Sequence, residues 1–124
     1  MSSRLKTALA GLSAKKKAAF MPFWVLGDPS PEACLEVVDA LDGAGATMLE
    51  FGFPFSDPSA DGPVVRQADA RALAAGMTPP ACFDLLDRVR STTDKPIVLL
   101  MYMNLVMQFG VEAFYARANA AGVD

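Results

Sequence analysis

A chain of 124 residues with 52% apolar side chains and a formal charge of -3 can hide about two-thirds of its unfolded surface in one core. Its acidic balance and its one isolated basic run, Lys15-Lys16-Lys17, leave no electrostatic footprint for nucleic acid, and the run reads as a surface turn. There is no histidine, Cys34 and Cys82 have no metal-ligand spacing, no apolar run reaches the roughly 18 residues of a membrane span, and no signal-type apolar segment opens the chain. These features predict a cytoplasmic protein with buried, reduced thiols.

In chain order, Leu5, Ala8, Leu9 and Leu12 follow the i, i+3, i+4, i+7 rule. They predict a short amphipathic helix that closes near Gly11 to Ser13 and acts as a lid or cap. Ala18 to Leu26 is almost continuously apolar and runs into Gly27-Asp28-Pro29, the pattern of a buried strand and a turn. Ser30-Pro31 is an N-cap followed by proline at the first helical position. The helix that follows turns Cys34, Leu35, Val37, Val38 and Leu41 inward and stops at Gly43 or Gly45.

A second apolar strand, Thr47 to Phe51, carries one carboxylate, Glu50, and opens into the loop FGFPFSDPSADGP. Pro54, Pro58 and Pro63 remove backbone donors there, so the stretch is irregular, stiff and acidic. Asp61-Gly62-Pro63 starts a helix over Val64 to Ala75, and Thr78-Pro79 repeats the cap-then-proline signal for another with Cys82, Phe83, Leu85, Leu86 and Val89 on one stripe. The third strand, Pro96 to Tyr102, leads through Asn104 and a loop to a last helix, Val111 to Ala120.

The order β, α, β, αα, β, α, with every strand apolar on both faces, is that of a parallel sheet covered by helices. Right-handed crossovers that place every helix on one side belong to a closed barrel. The fold class is therefore α/β: the N-terminal part of a (β/α)8 TIM barrel, three parallel strands with covering helices, residues 1–124 forming a single unit. Alternation along the second strand puts Met48, Glu50 and Gly52 on one face and Leu49 and Phe51 on the other. Glu50 then faces the barrel interior, where apolar surroundings favour the protonated form of a carboxyl group and suit it to proton donation. Asp61 sits beside a helix start, whose N–H groups favour the ionised form. Taken alone, a Glu in an apolar strand could be half of a structural ion pair, and an Asp before Gly-Pro is more often a helix cap.

The combination PFWVLGDP, EFGFPFSDPSADGP, PVVRQADARALAAGMTP and LLMYMNLV closely resembles the N-terminal half of the tryptophan synthase alpha subunit family, over essentially the whole chain. The resemblance implies a carbon–carbon lyase of tryptophan biosynthesis that cleaves indole-3-glycerol phosphate to indole and glyceraldehyde 3-phosphate. It carries the catalytic roles to Glu50 and Asp61, with Asp61 holding the indole N–H, and the enclosure of the indole ring to Phe23, Leu100 and Tyr102. It carries contact with a beta subunit to Asp57 and Asn104, in an alpha2-beta2 complex whose beta subunit holds pyridoxal phosphate; this chain itself needs no cofactor and no metal. The later strands, whose loops would bind the phosphate, have no counterpart in these residues. Two other readings follow from the same sequence: a catalytically silent half-barrel, or another phosphosugar barrel enzyme, which usually brings metal-binding histidines.

Overall fold

Two cap-then-proline signals start helices where the sequence places them. Ser30 Oγ accepts the Ala33 N–H at 3.2 Å and opens α2 (Pro31–Gly43); Thr78 Oγ1 accepts the Ala81 N–H at 3.3 Å and opens α4 (Pro79–Arg90). The computed structural model describes residues 3–124. The remaining elements are α1 (Ser3–Ala14), β1 (Phe23–Val25), β2 (Leu49–Gly52), α3 (Pro63–Ala74), β3 (Ile97–Leu99), α5 (Met103–Phe109) and α6 (Val111–Ala120).

The strands form one parallel sheet in the order β1-β2-β3. Its register pairs Phe23 with Glu50 and Glu50 with Val98, and, one residue along, Trp24 with Phe51 and Phe51 with Leu99. Because side chains alternate across a sheet, Phe23, Glu50 and Val98 share one face, while Phe51 and Leu99 share the other with Leu49 and Ile97. Leu49, Phe51 and Ile97 are sealed in the core with Cys34, Val38, Cys82, Phe83 and Leu86. Beyond β2, Phe53 continues that buried face. Its ring lies 5.1 Å from Phe83 and 5.8 Å from Phe114, and Phe109 joins at 5.3 Å from Phe83. Edge-on and tilted aromatic pairs of this kind each add about 0.5–1.5 kcal/mol to area burial. The cluster fixes the exit of β2 against α4, α5 and α6.

Several sequence expectations are corrected. The strands are shorter than their apolar runs: Phe20 and Met21 are exposed, and Pro22, which has no N–H to donate, precedes β1 and offers β2 only its carbonyl, to the Glu50 N–H. The stretch after β3 is not a loop through Asn104. Met103–Phe109 is a helix that buries Leu105 and Val106 and ends at Gly110, whose φ of 96° no side chain adopts readily. The outer edge of β3 is partly paired: the Ile97 carbonyl accepts the Asp124 N–H at 2.8 Å and the Ile97 N–H donates to Asp124 Oδ2 at 2.9 Å. Met48, which alternation places on the Glu50 face, is buried.

The cap role of the N-terminal helix falls on the end away from the acidic loop. α1 buries none of its residues. Arg4 holds it by donating to Asp124 Oδ1 at 3.0 Å and to the Gly122 carbonyl at 3.0 Å, and it faces Ala46, Thr47 and Thr93 to Pro96, where β2 and β3 begin. Lys15 to Lys17 form the expected exposed turn, and both cysteines are free and buried.

Candidate active site

The carboxyl ends of the three strands open into one small cavity. It measures about 240 Å³ and is lined by Phe23 from β1, Gly52 and Phe53 from the end of β2, Asp61 from the acidic loop, Asp69 from α3, and Leu100 and Tyr102 beyond β3. Gly52 is required by close approach: a Cβ there would stand 2.7 Å from the Phe23 ring, so the ring occupies the space that a side chain on β2 would take. Gly27, in the turn after β1, combines a φ of 82° with the packing of Met77 over its Cα.

Tyr102 organises the acidic loop. Its hydroxyl donates to Asp61 Oδ2 at 2.8 Å and accepts the Ala60 N–H at 3.0 Å, and its ring lies 5.0 Å from Phe55. Burial, followed by the hydrogen bond to Asp61, pushes the phenol's pKa above its ordinary value. The helix-cap reading of Asp61 does not hold. The N-cap of α3 is Gly62 with no side-chain bond, and the Asp61 carboxylate turns instead to Tyr102. One oxygen is thereby used, and no described residue bonds the other.

Glu50 does not line this cavity. It stands two residues down β2 from Gly52, on the same face and level with Phe23 in the register, half-buried. No hydrogen bond or ion pair engages its carboxylate among the described residues, so the structural ion-pair reading is not met there. The sequence-predicted residues Phe23, Asp61, Leu100 and Tyr102 thus meet in one cavity, with Glu50 below. Asp57 and Asn104 lie outside it and are exposed. Asp57 accepts the Ser56 hydroxyl at 2.7 Å beside a groove shared with Pro58, Arg66 and Leu73, and Asn104 sits in the first turn of α5.

Sequence reasoning missed Asp69, Asp28 and Arg71. Asp69 is only 4% exposed and lines the cavity; burial, with the charges of Asp61 and Asp28 adding, pushes its carboxyl up to about 6. A signal was present, since Val65, Ala68, Asp69 and Ala72 have the i, i+3, i+4, i+7 spacing of a buried stripe, and an acid on such a stripe asks for a partner. Asp28, 4% exposed, is held by a two-pronged bond from Arg71, Nε to Oδ1 at 2.6 Å and Nη2 to Oδ2 at 2.9 Å. That pair fastens the turn after β1 to α3 and neutralises a buried charge.

Parallel strands with helices packed on one face place this molecule among (β/α)8 barrels, as their N-terminal part. The family model for the tryptophan synthase alpha chain matches residues 9–124. The tryptophan synthase alpha chain of Shewanella oneidensis is 55% identical over 123 residues, covering 98% of this chain and 44% of that protein. Among solved structures, tryptophan synthase subunit alpha from Legionella pneumophila superposes with a TM-score of 0.95 at 35% identity, over 100% of this chain and 48% of that one. The tryptophan synthase a2b2 complex of Pyrococcus furiosus gives 0.80 at 38% identity, over 86% and 42%. The chain belongs to the tryptophan synthase alpha chain family, and it spans about half the length of the relatives it matches.

Proposed function

We propose that this chain supplies the acid–base part of a lyase that cleaves indole-3-glycerol phosphate to indole and glyceraldehyde 3-phosphate in tryptophan biosynthesis. The observation that carries this reading is the cavity in which an apolar ring site, formed by Phe23, Leu100 and Tyr102, meets a carboxylate with one oxygen left over. A planar heterocycle in that cavity would place its N–H against the open oxygen of Asp61. The nitrogen gains positive charge as indole C3 is protonated, so an anion fixed beside it favours that state over the ground state. Tyr102 holds the anion in place and supplies part of the ring's wall.

Glu50, on the same sheet face and without a hydrogen bond or ion pair among the described residues, moves the proton: it delivers one to C3 and takes the one released as the side-chain hydroxyl becomes an aldehyde. A carboxyl group can do both in sequence because each step regenerates the form the next requires. The substrate's phosphate falls to the loops that follow the later strands of a complete barrel. The same reading makes the chain a cytoplasmic subunit with no cofactor of its own. Its partner in an alpha2-beta2 assembly is a pyridoxal phosphate-dependent beta subunit, met through the acidic loop at Asp57 and the first turn of α5 at Asn104.

The test is indole release at saturating substrate by the full-length protein that carries these residues. Glu50→Gln lowers turnover by at least about 10², and Asp61→Asn by a smaller but clear factor. Near-normal turnover in Glu50→Gln would remove Glu50 from the chemistry.

A further inference from the structure

We propose that Arg71 is a positioning residue of this cavity: by its two-pronged bond to Asp28 it fixes α3, and through α3 the acidic loop that bears Asp61, at one height against β1. The cavity draws its walls from separate elements, Phe23 from β1, Asp61 from the loop, Val65 and Asp69 from α3, and Tyr102 from beyond β3. Their spacing is therefore set by the bonds that tie those elements together.

α3 is tied at both ends. At its start Gly62 joins it directly to Asp61, and Arg66 Nε donates to the Pro58 carbonyl at 3.2 Å, so the loop and the first turns of the helix form one piece. Toward its other end Arg71 donates from Nε to Asp28 Oδ1 at 2.6 Å and from Nη2 to Asp28 Oδ2 at 2.9 Å, and Met77, just past the helix, packs over Gly27. The turn is itself fixed on β1, since the Asp28 N–H donates to the Val25 carbonyl at 3.2 Å and the Asp28 carbonyl accepts the Trp24 Nε1–H at 3.0 Å. Asp69 and Arg71, two residues apart, leave the helix in different directions, the first into the cavity and the second to the turn.

A helix is stiff along its axis, so a grip at Arg71 is felt at Pro63, about 12 Å away at 1.5 Å per residue. Tyr102 closes the circuit from the other side by holding Ala60 and Asp61 to the end of β3. With both fastenings made, the Asp61 carboxylate has one place relative to the Phe23 ring; with the Arg71 fastening lost, it is held from one side only. Two parallel bonds between planar groups fix orientation as well as distance, which lysine, a point charge on a flexible stem, does not. Asp28 is buried while Arg71 is half-exposed. Any cation at position 71 thus offsets the buried charge, but only a guanidinium sets the geometry.

The inference rests on the proposed lyase reading for its kinetic arm alone. In the full-length protein, Arg71→Lys keeps a cation beside Asp28 and so folds. It should lower kcat about tenfold with KM held within about threefold, because a displaced Asp61 fails the charge that develops during the reaction. Asp28→Asn, Arg71→Gln and the double variant should share one lowered kcat within about twofold, as two groups that act as one fastening do. Val38→Ala, which removes packing from the covered core where Val38 is 1% exposed, should leave kcat unchanged and so separates position from stability. Independently of catalysis, the NMR signals of the Tyr102 ring should shift in Arg71→Lys, although the Tyr102 hydroxyl is bonded to Asp61 and Ala60 and not to the pair. Unchanged Tyr102 signals with an unchanged kcat in Arg71→Lys would overturn the proposal, as would an equal loss of kcat in Val38→Ala. Shifted Tyr102 signals in a protein whose parent releases no indole would instead sink the lyase reading and leave the role of Arg71 standing.

Discussion

The two faces of the sheet are built to opposite ends. On the helix-covered face Leu49, Phe51 and Ile97 are 1%, 1% and 0% exposed, and Phe53, Phe83, Phe109 and Phe114 extend the same packing past the strand ends. On the other face Phe23, Glu50 and Val98 are only half-buried, and Leu100 beyond them is 58% exposed. A close-packed face tolerates no unpaired polar atom and so hosts no chemistry. The open face keeps at its centre a carboxylate that no described residue bonds, and a cavity at its rim. Function sits where packing is incomplete, and the covered face holds the strand ends still enough for that to be useful.

The largest effect follows from the open face itself. Expressed alone, these 124 residues should give no measurable indole release and should not behave as a packed monomer, because Leu100, Met103 and Met107 present apolar surface to water beside a strand edge that, among the described residues, is paired only at Ile97. Size-exclusion chromatography with light scattering, the near-UV circular dichroism of Trp24 and an indole assay decide it. A monomer with fixed aromatic signals and cleavage activity would show that the open face needs no cover.

Next in size is a pair of substitutions that separates the faces, made in the full-length protein. Phe83 touches three other rings in the cluster and is 1% exposed, so Phe83→Ala should cost about 3–5 kcal/mol in denaturant unfolding. Leu100→Ala should cost under about 0.5 kcal/mol as a surface change and yet raise KM severalfold by opening the ring site. Equal stability losses in the two variants would mean that the faces differ less than their exposures imply.

The covered face was the more legible of the two. Val38, Cys82, Phe83, Leu86 and Val89 declared themselves by helical spacing, and Ser30 and Thr78 by cap chemistry, because both signals are local. Strand lengths were misjudged because apolar runs report burial, whereas a ladder also needs a partner with free N–H groups, which Pro22 lacks. The helix at Met103–Phe109 hides behind Asn104 because its apolar set, Leu105, Val106 and Phe109, is too short for a helical period to stand out. At the site, Glu50 and Asp61 were visible as acids in unusual settings. The bond from Tyr102 to Asp61 joins residues 41 apart and that from Arg71 to Asp28 joins residues 43 apart, and no sequence spacing shows such a bond. Asp69 alone had a usable local signal, an acid on a buried stripe.

The smallest expected effect concerns the rim beyond the cavity. Asp57 and Asn104 are exposed and neither packs into the core nor lines the ring site, so truncating them should leave unfolding and the ring site almost untouched. Asp57 in the acidic loop and Asn104 at the start of α5 nevertheless flank the bond by which Tyr102 ties that loop down, and a partner resting on them would press on the Asp61 loop from outside. Rim contacts of this kind are worth little singly. Asp57→Ala or Asn104→Ala should therefore weaken titration by a beta subunit only a few-fold, with a comparable drop in the activation that docking brings. Calorimetric titration gives the first and indole release with and without partner the second. Unchanged affinity and unchanged activation in both variants would place the docking surface elsewhere. A loss of activity without partner present would mean that these residues belong to the site rather than to its rim.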